Sequence, residues 1–443
     1  MAIIRQTNLF SWKTFHDDEK NLGDLERFKL VIETIPDNNL MRALYNLRAN
    51  GRNDHPIEAI WNSILASIIF QHKGISSLRR ELKRNAQLRE LCGFNPIAGA
   101  NAVPSKSAYN RFLSNLIQLE SLVHGIFDDL VKQLKKLIPK FGTNLAFDGK
   151  AIQSFGKPSK KNPKDGRREK DADWGKKTYK GVRKDGSLWE KVKSWFGFRL
   201  HLIADADSEL PIAYKITKAS KHEQGVIIEL FDKLNDTHPE IIDQCEHAMG
   251  DKGYDSKKMI CCLWEKFSIK PIIDIRKMWR DTETRCFKNR DLQNVTHDYK
   301  GTVFCYCPKS GTIRTMPYSG FEKDRETLKF LCPAKHYGIE CKGASKCSFY
   351  AKSFRVSLVE NRRIFTPVSR SSYKWKRLYN KRTSVERVNS RIDNSLGFEH
   401  HYIRGLKKMN LRVGLGLCVM LAIAVGRLRQ NRPDLMRSLV KSA

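Results

Sequence analysis

Hydrophobic positions before Pro139 recur every three or four residues, the spacing of amphipathic helices. This pattern predicts a helix from Ile57 to Ile69, a turn containing Gly74 that leads into a second helix, and two more helices from Ser105 to Leu116 and from Leu119 to Leu137. A helix-turn-helix of this kind can place one helix in a DNA major groove, although small helical bundles that bind no DNA share the pattern.

From Asn144 the pattern changes to short apolar runs that are typical of strands. The runs NLAFD, WFGFRLHLIAD and ELPIAYKIT come first. They are followed by a helix from His222 to Leu234, a strand ending at Gly250, a helix from Asp255 to Phe267 and the strand KPIIDI. Strands followed by alternating helices and strands predict a mixed α/β sheet.

A basic stretch from Gly156 to Lys193 separates the first two of these runs. It holds 14 Lys and Arg against 6 Asp and Glu, with Trp174, Tyr179 and Trp189 interleaved. We expect a loop here. Such a loop is either solvated surface or a segment that contacts phosphates while its aromatic rings stack on unpaired bases.

A second interruption, roughly Trp279 to Val368, shows no helical period, and helix returns from Tyr373 to about Leu396. The interruption contains a group of five cysteines, Cys305, Cys307, Cys332, Cys341 and Cys347. These thiols could hold a tetrahedral Zn²⁺, but their spacing is looser than a paired CxxC pattern. A structural Zn²⁺, another metal cluster and reduced buried thiols all stay open.

The longest apolar run near the end of the chain is Val413 to Gly426, which has 14 residues between Arg412 and Arg427. A membrane-spanning helix needs about 20 apolar residues, so we expect a buried core helix. The first residues, MAIIRQTNLFSWKTF, lack the features of a signal peptide. These patterns predict a cytoplasmic protein without a membrane partner.

The amino-acid composition indicates what kind of partner the chain binds. The chain has 443 residues, enough for about three domains, and its net charge is +33 with a pI near 9.8. Such an excess of Lys and Arg indicates a polyanionic partner, because each neutralised phosphate releases condensed counterions. Eleven cysteines, an odd number, do not suggest a disulfide framework in a chain of this size.

Three carboxylates occupy positions that a metal-dependent phosphoryl-transfer enzyme would use. Asp148 ends the strand NLAFD, Asp251 follows the short strand HAMG, and Glu386 lies on the predicted helix beside a buried stripe. Two Mg²⁺ ions need several hard oxygen ligands, which three carboxylates, water and substrate phosphates can provide. Each carboxylate also has an ordinary interpretation: a turn residue, a helix cap and a surface ion pair with Arg382 or Lys381.

The sequence segments around these carboxylates resemble those of a known family. LAFDGKAI, HAMGDKGYDS and YNKRTSVERVNSRI resemble the three active-site blocks of bacterial insertion-sequence DDE transposases, and Pro56 to Leu116 resembles the helical domain that precedes their catalytic core. The resemblance implies an α/β fold: a ribonuclease-H-like mixed sheet with flanking helices, preceded by an all-α N-terminal domain and interrupted by the cysteine-containing insertion. It implies a helical DNA-binding domain at 1–140, the core at 141–278 and 371–443, and the insertion at 279–370.

By this resemblance Asp148, Asp251 and Glu386 are the catalytic triad and hold two Mg²⁺ or Mn²⁺ ions. The implied reaction is hydrolysis at a transposon end followed by attack of the freed 3′-hydroxyl on target DNA. Tyr379 and Arg382 match the last block, whereas Asp393 stands where many relatives have Lys, which leaves the phosphate contact there to other residues such as Lys407 and Lys408.

The predicted partner is double-stranded DNA, both terminal repeats and target, bound by a homodimer associated with the nucleoid. The residues predicted to bind DNA are Arg79, Arg80, Lys106, Arg111, Arg167, Arg168, Lys252, Tyr379, Arg382, Lys407 and Lys408. Two rival functions stay open, a ribonuclease-H-like nuclease without strand transfer and a transposase-derived DNA-binding regulator.

Overall fold

The computed structural model describes residues 23–49, 53–158, 169–183, 185, 187–279, 283–287, 294–347 and 349–439. Its first part is helical and contains the four helices that the hydrophobic spacing predicts, together with three that it does not. In chain order they are α1 (Leu25–Thr34), α2 (Asn38–Arg48), α3 (Ile57–Ile69), α4 (Ile75–Arg84), α5 (Ala86–Cys92), α6 (Lys106–Gln118) and α7 (Glu120–Leu137).

A six-stranded mixed sheet follows these helices. Its strands are β1 (Asn144–Gln153), β2 (Asp173–Val182), β3 (Leu188–Asp205), β4 (Leu210–Lys218), β5 (His247–Gly250) and β6 (Lys270–Ile273), and the helices between them are α8 (Glu223–Thr237), α9 (Pro239–Gln244) and α10 (Lys257–Cys261). Strands β4 and β1 flank the second half of β3 in antiparallel pairing, and β5 and β6 continue the sheet parallel to β1. The predicted ribonuclease-H-like mixed sheet is thereby confirmed.

The prediction of a loop from Gly156 to Lys193 is wrong for most of the described residues in that range. β2 and the first half of β3 form a hairpin that runs from the pair Asp173 and Gly197 to the pair Val182 and Leu188. This hairpin extends beyond the core and exposes apolar side chains, Leu188 by 82%, so it lacks the buried face that marks a strand in a sequence. Residues 159–168 and the side chain of Tyr179 lie outside the described part of the chain.

The cysteine-containing insertion consists of two small antiparallel sheets. One contains β7 (Thr284–Cys286), β8 (Val295–Asp298), β9 (Val303–Tyr306) and β10 (Ile313–Thr315); the other contains β11 (Tyr318–Glu322), β12 (Thr327–Leu331) and β13 (Ser353–Ser357), with α11 (Pro333–Tyr337) after β12. These sheets pack around a small hydrophobic core of their own, which includes Phe287, Phe330 and Phe354.

The single helix predicted from Tyr373 to Leu396 is also wrong. The structure divides it into α12 (Tyr373–Asn380) and α13 (Thr383–Ser390), followed by a wide helical turn (Arg391–Ser395). At the break the hydroxyl of Thr383 donates to the carbonyl oxygen of Asn380 at 3.1 Å, a side-chain bond of the kind that competes with the helix ladder.

The last helix, α14 (Leu406–Arg429), is the central element of the main core. Its apolar run from Val413 to Gly426 is buried throughout, as predicted. By length and composition it is the one helix among the described residues that could cross a membrane, but it packs against α1, α3, α7 and β4. One continuous core therefore joins the N-terminal helices, the sheet and the end of the chain.

Candidate active site

Two of the candidate carboxylates emerge at the same edge of the sheet. The last parallel pair between β1 and β5 joins Phe147 to Gly250, so Asp148 and Asp251 are the next residues on two neighbouring strands. Gly250 makes this approach tight, because a Cβ there would lie 2.4 Å from the Phe147 ring. The adjacent parallel strands thus bring together two acidic side chains that lie far apart in the sequence.

Asp148 occupies the more buried of these positions. Its Oδ1 atom is buried and has no hydrogen-bond donor among the described residues. Burial raises the pKa of Asp148 to about 6; the negative charges of Asp251 and Glu223 add to the shift, and the charge of Lys177 opposes it. An acidic oxygen in this state is destabilised unless a cation approaches it.

Asp251 and Glu386 have partners in the protein. Asp251 Oδ1 accepts the backbone N–H of Gly253 at 2.7 Å and caps the short turn that follows β5. Glu386, on α13, is half-exposed and pairs with Arg382. The ordinary interpretations as a cap and an ion pair therefore describe real contacts of these two residues, whereas Asp148 lies within β1 and is not a turn residue.

Arg382 links the last block of the sequence to the sheet edge. Burial lowers its pKa, but the pair with Glu386 and the charges of Tyr379 and Asp251 outweigh burial and raise it. Its guanidinium also lies 5.7 Å from the centre of the Tyr379 ring. Arg382 thus contacts both Tyr379 and Glu386 across the helix break, and the charge of Asp251 acts on Arg382 and Tyr379.

A fourth carboxylate, Glu223, lies against this cluster and was missed in the sequence. It is the first residue of α8, and the helix predicted from His222 begins here with His222 as its N-cap. A Cβ on Gly149 would lie 3.0 Å from Cδ of Glu223, which places that carboxylate against the β1 backbone at the residue after Asp148, and its charge acts on Asp148. Its Oε1 atom pairs with Arg199 at 2.9 Å.

Tyr254 responds to the charges of the same carboxylates. It is fully buried and packs edge-on against Phe147. Burial raises the pKa of Tyr254 well above its usual range, and the charges of Asp148, Glu223 and Asp251 raise it further. The charges of three carboxylates therefore act on one buried hydroxyl. As placed, no three His, Cys, Asp or Glu side chains in the described ranges form a closed metal-binding set.

A comparison with protein-family models identifies the family of the chain. A family model described as "Transposase DDE domain" matches residues 140–422. The chain belongs to this transposase family. Its sheet and all three candidate carboxylates lie within the matched range, and the family makes the chain a DNA transposase. No curated protein matches the chain.

Among solved structures, one match is a cryo-EM structure of the piggyBac transposase synaptic complex with hairpin DNA. It is 13% identical, the match covers 96% of this chain and 86% of that chain, and the TM-score is 0.30.

In this transposase most of the predicted DNA-binding cations are exposed. They are Arg80, Lys106, Arg111, Lys252, Lys407 and Lys408. Arg79 is half-buried, and its Nε donates to the carbonyl oxygen of Pro104 at 2.8 Å, which fastens α4 to the segment before α6. Arg167 and Arg168 lie outside the described residues.

At position 393, where the resemblance led us to expect Lys, Asp393 forms an ion pair with Lys150. Both side chains are mostly buried. Lys150 is two residues after Asp148 on β1, so the two side chains lie on the same face of the strand. The cation at this position is therefore Lys150, a residue that the sequence analysis did not consider, because 243 residues separate it from Asp393.

Proposed function

We propose that this transposase cleaves and joins DNA strands at Asp148, Asp251 and Glu386. The observation that carries the proposal is the buried Asp148 Oδ1 atom, which has no donor among the described residues and lies where two parallel strands end side by side. An ionised carboxylate in such a place is stable only with a cation. The family of the chain supports the same interpretation.

The donor set fits a hard divalent cation, Mg²⁺ or Mn²⁺. Asp148, Asp251 and Glu386 would hold two such ions, and Glu386 would exchange its partner Arg382 for them. When bound, the ions lower the pKa of water and stabilise charge on phosphoryl oxygens. Arg382 stays beside Asp251 and can then contact a DNA phosphate. The reaction needs no covalent protein intermediate.

The proposed partner is duplex DNA, both the ends of a mobile element and its target. The net charge of +33 supports many phosphate contacts, and the exposed cations of α4, α6 and α14 are candidates for them. We also propose that the chain acts as a homodimer in the cytoplasm, bound to the nucleoid. It belongs to a bacterial insertion sequence, and its N-terminal domain, 1–140, recognises the ends of that element.

The test uses three purified variants, Asp148→Ala, Asp251→Ala and Glu386→Ala, and a duplex that carries the DNA flanking the coding region. Each variant should lose at least about 10²-fold in Mg²⁺-dependent cleavage, the scale on which a preorganised charged group acts, and keep its affinity for the duplex. Asp232→Ala is the matched control, because Asp232 pairs with Lys266 on the surface of α8. Cleavage at the rate of the control would contradict the assignment.

The same assay separates the rival functions. Cleavage of the duplex with joining to a second DNA supports a transposase, cleavage without joining indicates a nuclease, and DNA binding without cleavage indicates a regulator.

A further inference from the structure

Five thiols of the insertion meet at one cavity. Cys305 and Cys307 come from the β9–β10 hairpin, Cys332 from the end of β12, and Cys341 and Cys347 from the segment before β13; together they line a cavity of about 30 Å³. All five are free thiols. Three separate stretches of chain thus deliver every member of the group to a space the size of one water or one ion.

The sulfur atoms also interact with one another. Cys305 lies close enough to Cys332, Cys341 and Cys347 for their charges to act on it, and Cys307 is within hydrogen-bonding reach of Cys341. Reduced thiols in an ordinary core have no reason to cluster in this way, since each is a small hydrophobe that packs equally well beside aliphatic side chains.

Two of the thiols are held by backbone donors. The backbone N–H groups of Lys309 and Ser310 donate to Cys307 Sγ, and that of Gly343 donates to Cys341 Sγ. Gly343 is required there, because a Cβ would lie 2.9 Å from Cys307 Sγ. The Ser310 side chain and these backbone donors lower the pKa of Cys307 to about 6 and so favour its thiolate, the form that binds metals. Burial raises the pKa of Cys341 in spite of the Gly343 donor.

The cavity joins two parts of the insertion that share only a small core. Cys305 lies in the four-stranded sheet and Cys332 directly follows a strand of the three-stranded sheet. Small domains with limited cores commonly depend on a disulfide or a metal for stability. A ligand bound by these thiols would tie the two sheets together.

We propose that a single Zn²⁺ binds in this cavity and is held by four of the five cysteine thiolates. Four sulfur ligands select Zn²⁺ or an iron–sulfur cluster, and a cavity of about 30 Å³ accommodates one ion rather than several. The thiols surround the space without forming a closed coordination set among the described residues, so binding draws them inward. This site is separate from the carboxylates, which offer hard oxygen ligands.

The test measures metal in the full chain purified without chelator. We expect about one Zn per chain and no iron by elemental analysis. Cys341→Ser combined with Cys347→Ser leaves three of the five thiols, fewer than the four ligands of a structural zinc site, so its zinc content should fall at least about tenfold. Cys286→Ser is the matched control, since Cys286 is exposed on β7 of the same insertion and does not line the cavity. A chain without zinc, a chain with iron, or a double variant that retains as much zinc as the control would overturn the proposal.

A second measurement avoids variants that fail to fold. p-Hydroxymercuribenzoate is titrated into the unmodified full chain, and a colorimetric chelator reports zinc that is released as thiols react. Cys286 is exposed and outside the cavity, so it reacts without releasing zinc. Release of about one Zn per chain as the cavity thiols react is the expected result, and modification of the cavity thiols without zinc release contradicts it. Asp148→Ala protein should keep its zinc, so failure of the carboxylate assignment and failure of this proposal are distinguishable.

Discussion

The carboxylate cluster and the cysteine cluster differ in what holds them in place. The carboxylates stand on the central sheet of one large core that also contains α14 and the N-terminal helices, and several are already paired with protein groups such as Arg382 and Arg199. The cysteines lie in an insertion with a small separate core, and they surround a cavity. The surrounding fold positions the carboxylates, whereas the cysteines stabilise the insertion through the proposed Zn²⁺.

This difference gives the two clusters opposite effects on stability when metal is absent. Carboxylates forced together repel one another, so removal of one should relieve the fold and abolish only the chemistry. Thiols that bind a structural ion contribute its binding free energy to folding, so their removal should weaken the insertion. Three measurements can break or sharpen this contrast.

The largest effect is expected at Glu223. Its carboxylate lies against the β1 backbone at Gly149, and its negative charge acts on Asp148, so Glu223→Gln should weaken Mn²⁺ binding by about 10-fold to 100-fold, the range for residues that support metal ligands. Isothermal titration with Mn²⁺ measures this directly.

The matched control is Glu229→Gln on the same helix, where Glu229 is exposed and pairs with Lys215. The control should bind Mn²⁺ as the unmodified chain does. Equal affinities in both variants would mean that Glu223 serves only as the partner of Arg199.

A smaller effect is expected at the ion pair between Lys150 and Asp393, which fastens β1 to the end of the last active-site block. Lys150→Asp and Asp393→Lys should each lower strand cleavage, because each leaves two like charges together in a partly buried place. The double charge swap should recover activity, with a coupling free energy of about 1 kcal/mol or more in the double-mutant cycle. A double variant no better than the weaker single variant would show that the pair acts through Lys150 alone.

The residues of the candidate site show which contacts can be predicted from the sequence and which cannot. Asp148 and Asp251 could be predicted, because each lies at the end of an apolar run and the segments around them resemble the active-site blocks of a known family. Glu223 could not, since it reaches β1 only when α8 packs against β3 and β4. The exchange at Asp393 looks like a loss of charge in the sequence, and only the fold shows that Lys150 supplies a cation there.

The elements of the fold likewise include some that the sequence predicts and some that it does not. Most helices and strands of the main core were predicted within a few residues, but α1, α2 and α5 were not, although each has a buried face. The hairpin of β2 and β3 was not, because it has no buried face for most of its length, and the break before Thr383 depends on a local hydroxyl bond. The cysteine group was visible in the sequence, but its common cavity depends on how two small sheets pack.

The most direct comparison of the two clusters is a change of stability at Asp148. Its pKa in the folded chain is about 6 against an ordinary value of 3.8, so the unfolded chain loses this proton first. Stability therefore falls as pH rises from about 4 to about 6, and the cost is fully present above that range. A shift of about two units corresponds to at most about 3 kcal/mol.

Asp148→Asn removes this charge and should raise the free energy of unfolding by about 1–3 kcal/mol at pH 7.5, with little change at pH 3.5. Urea unfolding at both pH values tests this, in buffer without Mg²⁺, Mn²⁺ or chelator so that zinc in the insertion is undisturbed. Asp232→Asn serves as the control on the surface of α8. Added Mn²⁺ should then stabilise the unmodified chain and not the variant, because only the ionised carboxylate binds the cation. If Asp148→Asn instead destabilises the chain at pH 7.5, the acidic cluster contributes to folding as the thiols do, and the contrast between the two sites fails.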